Sequence, residues 1–112
     1  MINLKQFIIK QDLEELNPFQ AKALFTYWWL DKPSNKNTEV IDIEYQAGMI
    51  APLPLMSIGD LFEFLHINNC SIEIAHDNRM AYNLRLDYTI NYYERELCDV
   101  LWKATKQVLI NI

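Results

Sequence analysis

His66, Cys70 and His76 lie within eleven residues, and Cys98 is a fourth side chain of a type that binds zinc. Their spacing fits neither a finger nor a ribbon. His66 falls near the end of an expected helix, where its charge suits the dipole. His76 falls on an expected strand, where it is partly buried. The plainer account is two ordinary histidines, with no metal and no cofactor expected.

The candidate nucleophiles are Ser57, Cys70 and Cys98. Ser57 has a competing role as a helix cap. Cys98 sits beside the inner stripe of a helix, where a thiol packs as a small hydrophobe. None lies in a glycine-rich elbow. Gly48 and Gly59 are the only glycines, too few for a phosphate-cradling loop. No catalytic residues are assigned, and a non-enzyme is expected.

The carboxylates form a third set. Asp42, Glu44, Glu73 and Asp87 are expected on the outward side of a sheet, with Arg85 among them. An open sheet face is solvated, so no acid–base pair with separated pKa values is expected there. Such a face either docks on a basic partner surface or is kept polar for solubility. Aromatics form the fourth set: Phe19, Phe25, Tyr27, Trp28 and Trp29 crowd one helix, and Tyr92 and Tyr93 lie near the start of the last. Trp and Tyr are frequent interface anchors, and they also stack on nucleobases.

The elements that position these residues follow from periodicity. Leu4 to Leu16 carries a short helical pattern with Leu4, Phe7, Ile8, Leu13 and Leu16 to one side. Asn17-Pro18 reads as a cap and first turn, starting a helix that runs to about Leu30. At about 100° per residue, Ala21, Leu24, Phe25 and Trp28 share a face, Gln20 and Tyr27 lie nearly opposite, and Trp29 joins the polar stripe of Lys22 and Thr26. Trp28 reads as core; for Trp29, core and interface both stand.

Residues 31–38 form a polar loop. Residues 39–46 alternate as a half-buried strand with Ile41, Ile43 and Tyr45 inward. Residues 48–55, with Pro52 and Pro54, are expected to be extended and irregular. Ser57 and Asp60 make a capping box for a helix to about Ile67, with Ile58, Leu61, Phe62 and Leu65 on one face. A hairpin spans 71–88, turning at Asp77-Asn78, with Met80, Tyr82, Leu84, Leu86 and Tyr88 inward. The last helix runs from about Asn91 to Ile110, its inner stripe formed by Leu97, Leu101, Ala104 and Val108, with Trp102 near the edge.

The expected fold is α+β in a single domain, 1–112: two layers, with about three strands (hairpin 71–88 plus strand 39–46) covered on one face by three to four helices. The chain has 112 residues, a formal charge of −5 and 51% hydrophobic residues, which suits one globular core. That charge argues against nucleic acid or an anionic membrane as a partner. The apolar runs fall short of the ~20 residues of a membrane span. Lys5, Gln6 and Lys10 interrupt the first apolar run, so no signal peptide is expected.

Two segments resemble a known group. Leu53-Pro-Leu-Met-Ser-Ile-Gly-Asp-Leu-Phe-Glu-Phe-Leu65 resembles an LPLLSIGQMIEFL segment, and Glu96-Leu-Cys-Asp-Val-Leu-Trp-Lys-Ala-Thr-Lys-Gln-Val-Leu109 resembles an ELCDALWEAVKEVL helix. Both belong to small uncharacterised proteins of phages and prophages of low-GC Gram-positive bacteria, which also carry a Trp pair like Trp28-Trp29. The basic KPQ-GD loop of that group is replaced here by Asp31-Lys-Pro-Ser-Asn. The resemblance implies a phage or prophage source and a cytoplasmic location in an infected or lysogenic bacterium. It implies a non-enzymatic accessory protein that binds a host protein, a defence component among the options. The expected contacts are Trp29 and Tyr27, with Asp42, Glu44, Glu73 and Asp87. The alternatives are a binder or sponge for a nucleotide signal using Arg79 or Arg85, and a self-assembling module, most simply a homodimer.

Overall fold

Two reciprocal caps start the helices that organise the chain. Asn17 Oδ1 accepts from the Gln20 amide while Gln20 Oε1 accepts from the Asn17 amide, both at 2.8 Å. Ser57 and Asp60 do the same at 3.0 Å. Each box satisfies amides that a helix start leaves without partners. In the computed structural model, which describes residues 4–31, 37–77 and 81–111, the helices are α1 (Lys10–Glu14), α2 (Pro18–Thr26), α3 (Ile58–Ile67) and α4 (Leu97–Ile110). A π-helical turn, Tyr27–Asp31, extends α2.

The strands are β1 (Val40–Gln46), β2 (Met49–Pro54), β3 (Ile72–His76), β4 (Tyr82–Leu86) and β5 (Ile90–Glu94). The class is α+β. The described strands form two antiparallel sheets, β1-β2 and β3-β4-β5. α4 is the hub, packing on α3, on α2 and on β4 and β5, while α2 also reaches β1 and β2. Leu84, Leu86, Leu101, Trp102, Leu24, Leu53 and Phe64 belong to one contiguous buried cluster. Among the described residues no helix is long and apolar enough to cross a membrane.

Several expectations change. Residues 49–54 are extended as expected but form a paired strand: β2 pairs with β1 from Val40↔Pro54 to Glu44↔Ile50 and, after a register shift, at Gln46↔Met49. The turn between them uses Gly48 at φ 75°, a conformation glycine adopts without strain. The last helix does not begin near Asn91, because residues 90–94 are β5. The β4–β5 turn places Asp87 and Tyr88 at positive φ, and the Thr89 amide donates back to the Leu86 carbonyl. Tyr88, expected inward, is therefore carried out into solvent.

Leu4 and Phe7, expected on a buried helical face, are exposed. Their segment runs extended beside residues 56–58, with Ile8 N donating to Met56 O and Ile58 N to Gln6 O. Phe64 takes the buried place expected of Phe62. Ile74 and His76 are exposed on β3, an edge strand, and the His76 ring meets Tyr82 at 4.6 Å, tilted by 45°. Asn78, Arg79 and Met80 of the expected hairpin, and residues 32–36 of the expected loop, lie outside the described residues.

Candidate functional site

Pro52 and Pro54 shape the site. Both stand at register positions where β2 makes no ladder bond to β1. The bonding positions are the odd-numbered ones, continued by Leu55 N donating to Glu39 O at 2.8 Å. Each proline therefore turns its missing N–H to the outer edge of β2, the one place in a sheet where proline costs little. The Pro52 carbonyl points the same way, and the Trp29 indole Nε1 donates to it at 2.9 Å.

The π-helical turn explains why Trp29 is there. A wider turn lets two successive residues, Tyr27 and Trp28, both face the core, and passes Trp29 outward. Trp29 is 43% exposed and tilts against the Phe25 ring, 6.4 Å between centroids. Beside it a groove of about 350 Å³ opens between α2 and β2, lined by Phe25, Tyr45, Ile50, Pro52 and, at its charged end, Lys22. Ile50 at the hairpin tip is 63% exposed.

Asp42 and Glu44 complete this surface. Directly paired residues share a sheet face, and Asp42 pairs with Pro52 and Glu44 with Ile50. Both carboxylates are exposed, and among the described residues neither makes an ion pair. Among the described residues the surface thus runs from a carboxylate column, across a proline and isoleucine column, to an aromatic groove and Lys22.

The six expected contact residues do not form one set. Trp29, Asp42 and Glu44 come together. Glu73 and Asp87 do not, since they belong to the other sheet. Glu73 stands opposite Arg85 on the open face of β3-β4-β5. Asp87 is engaged within the fold. Its side chain accepts from Ser71 N at 2.8 Å and its amide donates to Ser71 O at 2.7 Å. Tyr27 is not a surface residue. It is 3% exposed, edge-on to Phe64 of α3 at 4.8 Å, because the π-helical turn carries it into the core. Among the described residues its hydroxyl has no hydrogen-bond partner. Burial, aided by the charges of Glu63 and Asp60, pushes its pKa well above the ordinary tyrosine value. Gln20, also expected outward, is buried and donates to Lys106 O at 2.9 Å.

Lys22, Phe25, Ile50 and Pro52 were not expected to share a surface. The signal that finds them is Gly48 between two apolar-containing runs, a hairpin hidden by the prolines that follow.

The candidate nucleophiles are occupied or quiet. Ser57 Oγ holds the Asp60 amide. Burial pushes the Cys98 thiol up to about 12, against the nearby Lys5 charge. Burial and Asp87 raise Cys70 as well. Thiolate is the reactive form, so neither cysteine is activated. Among the described residues no group of three or more His, Cys, Asp and Glu side chains is placed to hold a metal. No protein-family model matches the chain, nor does any curated protein or solved structure.

Proposed function

We propose that this chain is a non-enzymatic binding protein that docks on another protein through the Trp29 surface. The observation that carries the reading is a half-exposed tryptophan, fixed by its indole hydrogen bond at the rim of an apolar groove and flanked by carboxylates without ion pairs among the described residues. Pre-positioned aromatics of this kind dominate the energy of protein interfaces, since little side-chain freedom is lost on binding. Phosphate recognition suits the groove less, because among the described residues Lys22 is the one cation lining it.

The finer reading follows the resemblance of the 53–65 and 96–109 segments. The partner is then a host protein, met in the bacterial cytoplasm, and the chain is a phage or prophage accessory factor acting on it, a defence protein being one such target. A tagged chain is used to capture partners from a Gram-positive host lysate, beside Trp29→Ala and, as a remote control, Glu73→Gln. One protein retained by wild type and by the control, and bound at least about tenfold more weakly by Trp29→Ala, is the expected result. Equal capture by Trp29→Ala with unchanged circular dichroism removes the assignment. Capture of nothing, together with concentration-dependent sedimentation, moves the same surface to self-association.

A further inference from the structure

The order of chemistry across this surface constrains what lies on it. Asp42 and Glu44 do not line the groove; they stand two residues apart on the solvent face of β1, beyond the groove's Ile50–Pro52 wall, each paired with one of those two residues. On the α2 side stands Lys22, the one cation of the groove among the described residues. Cross-strand neighbours have Cβ atoms about 5 Å apart. A group seated against Ile50 or Pro52 is therefore within reach of a carboxylate.

The charged cleft between the N-terminal segment and α4 offers no comparable opening. There Lys5, Lys103 and Lys106 are each held by a carboxylate of the chain itself. The chain's field adds to the local one: at net charge −5 it draws cations toward the molecule. Beyond about 8 Å that field is screened at physiological salt, so the two flanking carboxylates decide the contact.

We infer that the occupant of the groove is a basic–apolar segment of a partner protein. One aliphatic or aromatic side chain fills the space between Phe25 and Ile50, and a Lys or Arg beside it lies over Asp42 and Glu44. This rests on the docking reading above and adds the chemistry of the partner. Lys22 sets polarity: it repels the segment's cation from the α2 flank, so the basic residue lies on the β1 side of the anchor.

Random displayed peptides panned on the full chain provide the test. Enriched sequences should place Lys or Arg within a few residues of a large apolar side chain. A synthetic peptide of that sequence, titrated by calorimetry, should bind Asp42→Asn/Glu44→Gln about tenfold more weakly, lose affinity as salt rises, and bind Lys22→Ala as well or better. Acidic or uncharged enriched sequences, weaker binding to Lys22→Ala, or no enrichment overturns the inference. Peptides lost with Trp29→Ala but indifferent to the two carboxylates sink the inference and leave the docking surface standing. Peptides indifferent to Trp29→Ala remove the docking surface itself.

Discussion

Two charged regions of the molecule handle their charges in opposite ways. Along the seam where the N-terminal segment and β5 meet α4, three lysines each have a carboxylate. Lys5 Nζ reaches Asp12 at 2.8 Å and Asp99 at 2.5 Å, Lys106 reaches Glu15 at 2.7 Å, and Lys103 reaches Glu94 at 2.6 Å. The same Glu15 oxygen accepts from the Trp102 indole at 3.2 Å. Most of these contacts join residues some ninety positions apart, so the seam closes the fold. Around Trp29, by contrast, Asp42, Glu44 and Lys22 make no ion pairs among the described residues, and apolar side chains are left in water. Charges that satisfy one another hold a chain together; charges left beside exposed apolar surface are available to something else.

The largest expected effect lies on the seam. Trp102 is 2% exposed, and Trp102→Ala removes its ring from the core and its indole donor from Glu15. A loss of about 3–5 kcal/mol in urea unfolding is expected. A loss below about 1 kcal/mol means the seam does not carry the fold. Lys5→Ala comes next. It leaves Asp12 and Asp99 with no cation between them, partly shielded from water, and about 1–2 kcal/mol should go. Its stability should fall while peptide binding at the groove stays unchanged. A coupled loss of both blurs the distinction between the regions.

Alkali gives the smallest effect and the sharpest sign. Burial keeps the Cys98 proton on in the folded chain up to about pH 12, while the unfolded thiol releases it near 9.0. Between those values the unfolded state binds fewer protons, so stability falls as pH rises. Burial works to lower the Lys5 ammonium, but the hydrogen-bonded Asp12 and Asp99 outweigh it and hold it above its ordinary value. Its contribution is complete below 10.5 and is lost above that, in the same direction. A urea midpoint at pH 10 lower than at pH 8, by about 1 kcal/mol of stability, is expected. Cys98→Ser should not be used as the reference, because it buries a hydroxyl; Cys98→Ala should flatten part of the slope. An unchanged midpoint contradicts the burial of the thiol.

What the sequence made legible was local. Asn17-Pro18 and Ser57–Asp60 start helices because capping is decided within four residues. The alternation over 40–46 and 82–86 marks strands because each has one buried face. Both missed strands broke a local rule. In β2, prolines argue against pairing until both are seen to fall at non-bonding positions. In β5, Asn91 to Glu94 carries helix-compatible polarity, and the turn before it puts Tyr88, a residue disfavoured at positive φ, where glycine or asparagine would have announced a hairpin.

The candidate site was only half legible for a related reason. Trp29 stood out by its stripe and Asp42 and Glu44 by their alternation. Tyr27 misled because a helical wheel assumes a regular α-helical turn, whereas Tyr27 begins a π-helical one and packs on Phe64 of α3. The acidic residues read as one sheet face because pairing between strands distant in sequence leaves no local trace.

The outer rim of β2 also bears on how the molecule behaves in a crowd. A bare strand rim is a template for another chain, and repeated addition leads to fibres. Here two amide hydrogens are missing and one carbonyl is already occupied by an indole, which makes the rim a poorer template. A ligand that pulled the Trp29 indole away would leave the Pro52 carbonyl without its donor and the rim one acceptor richer.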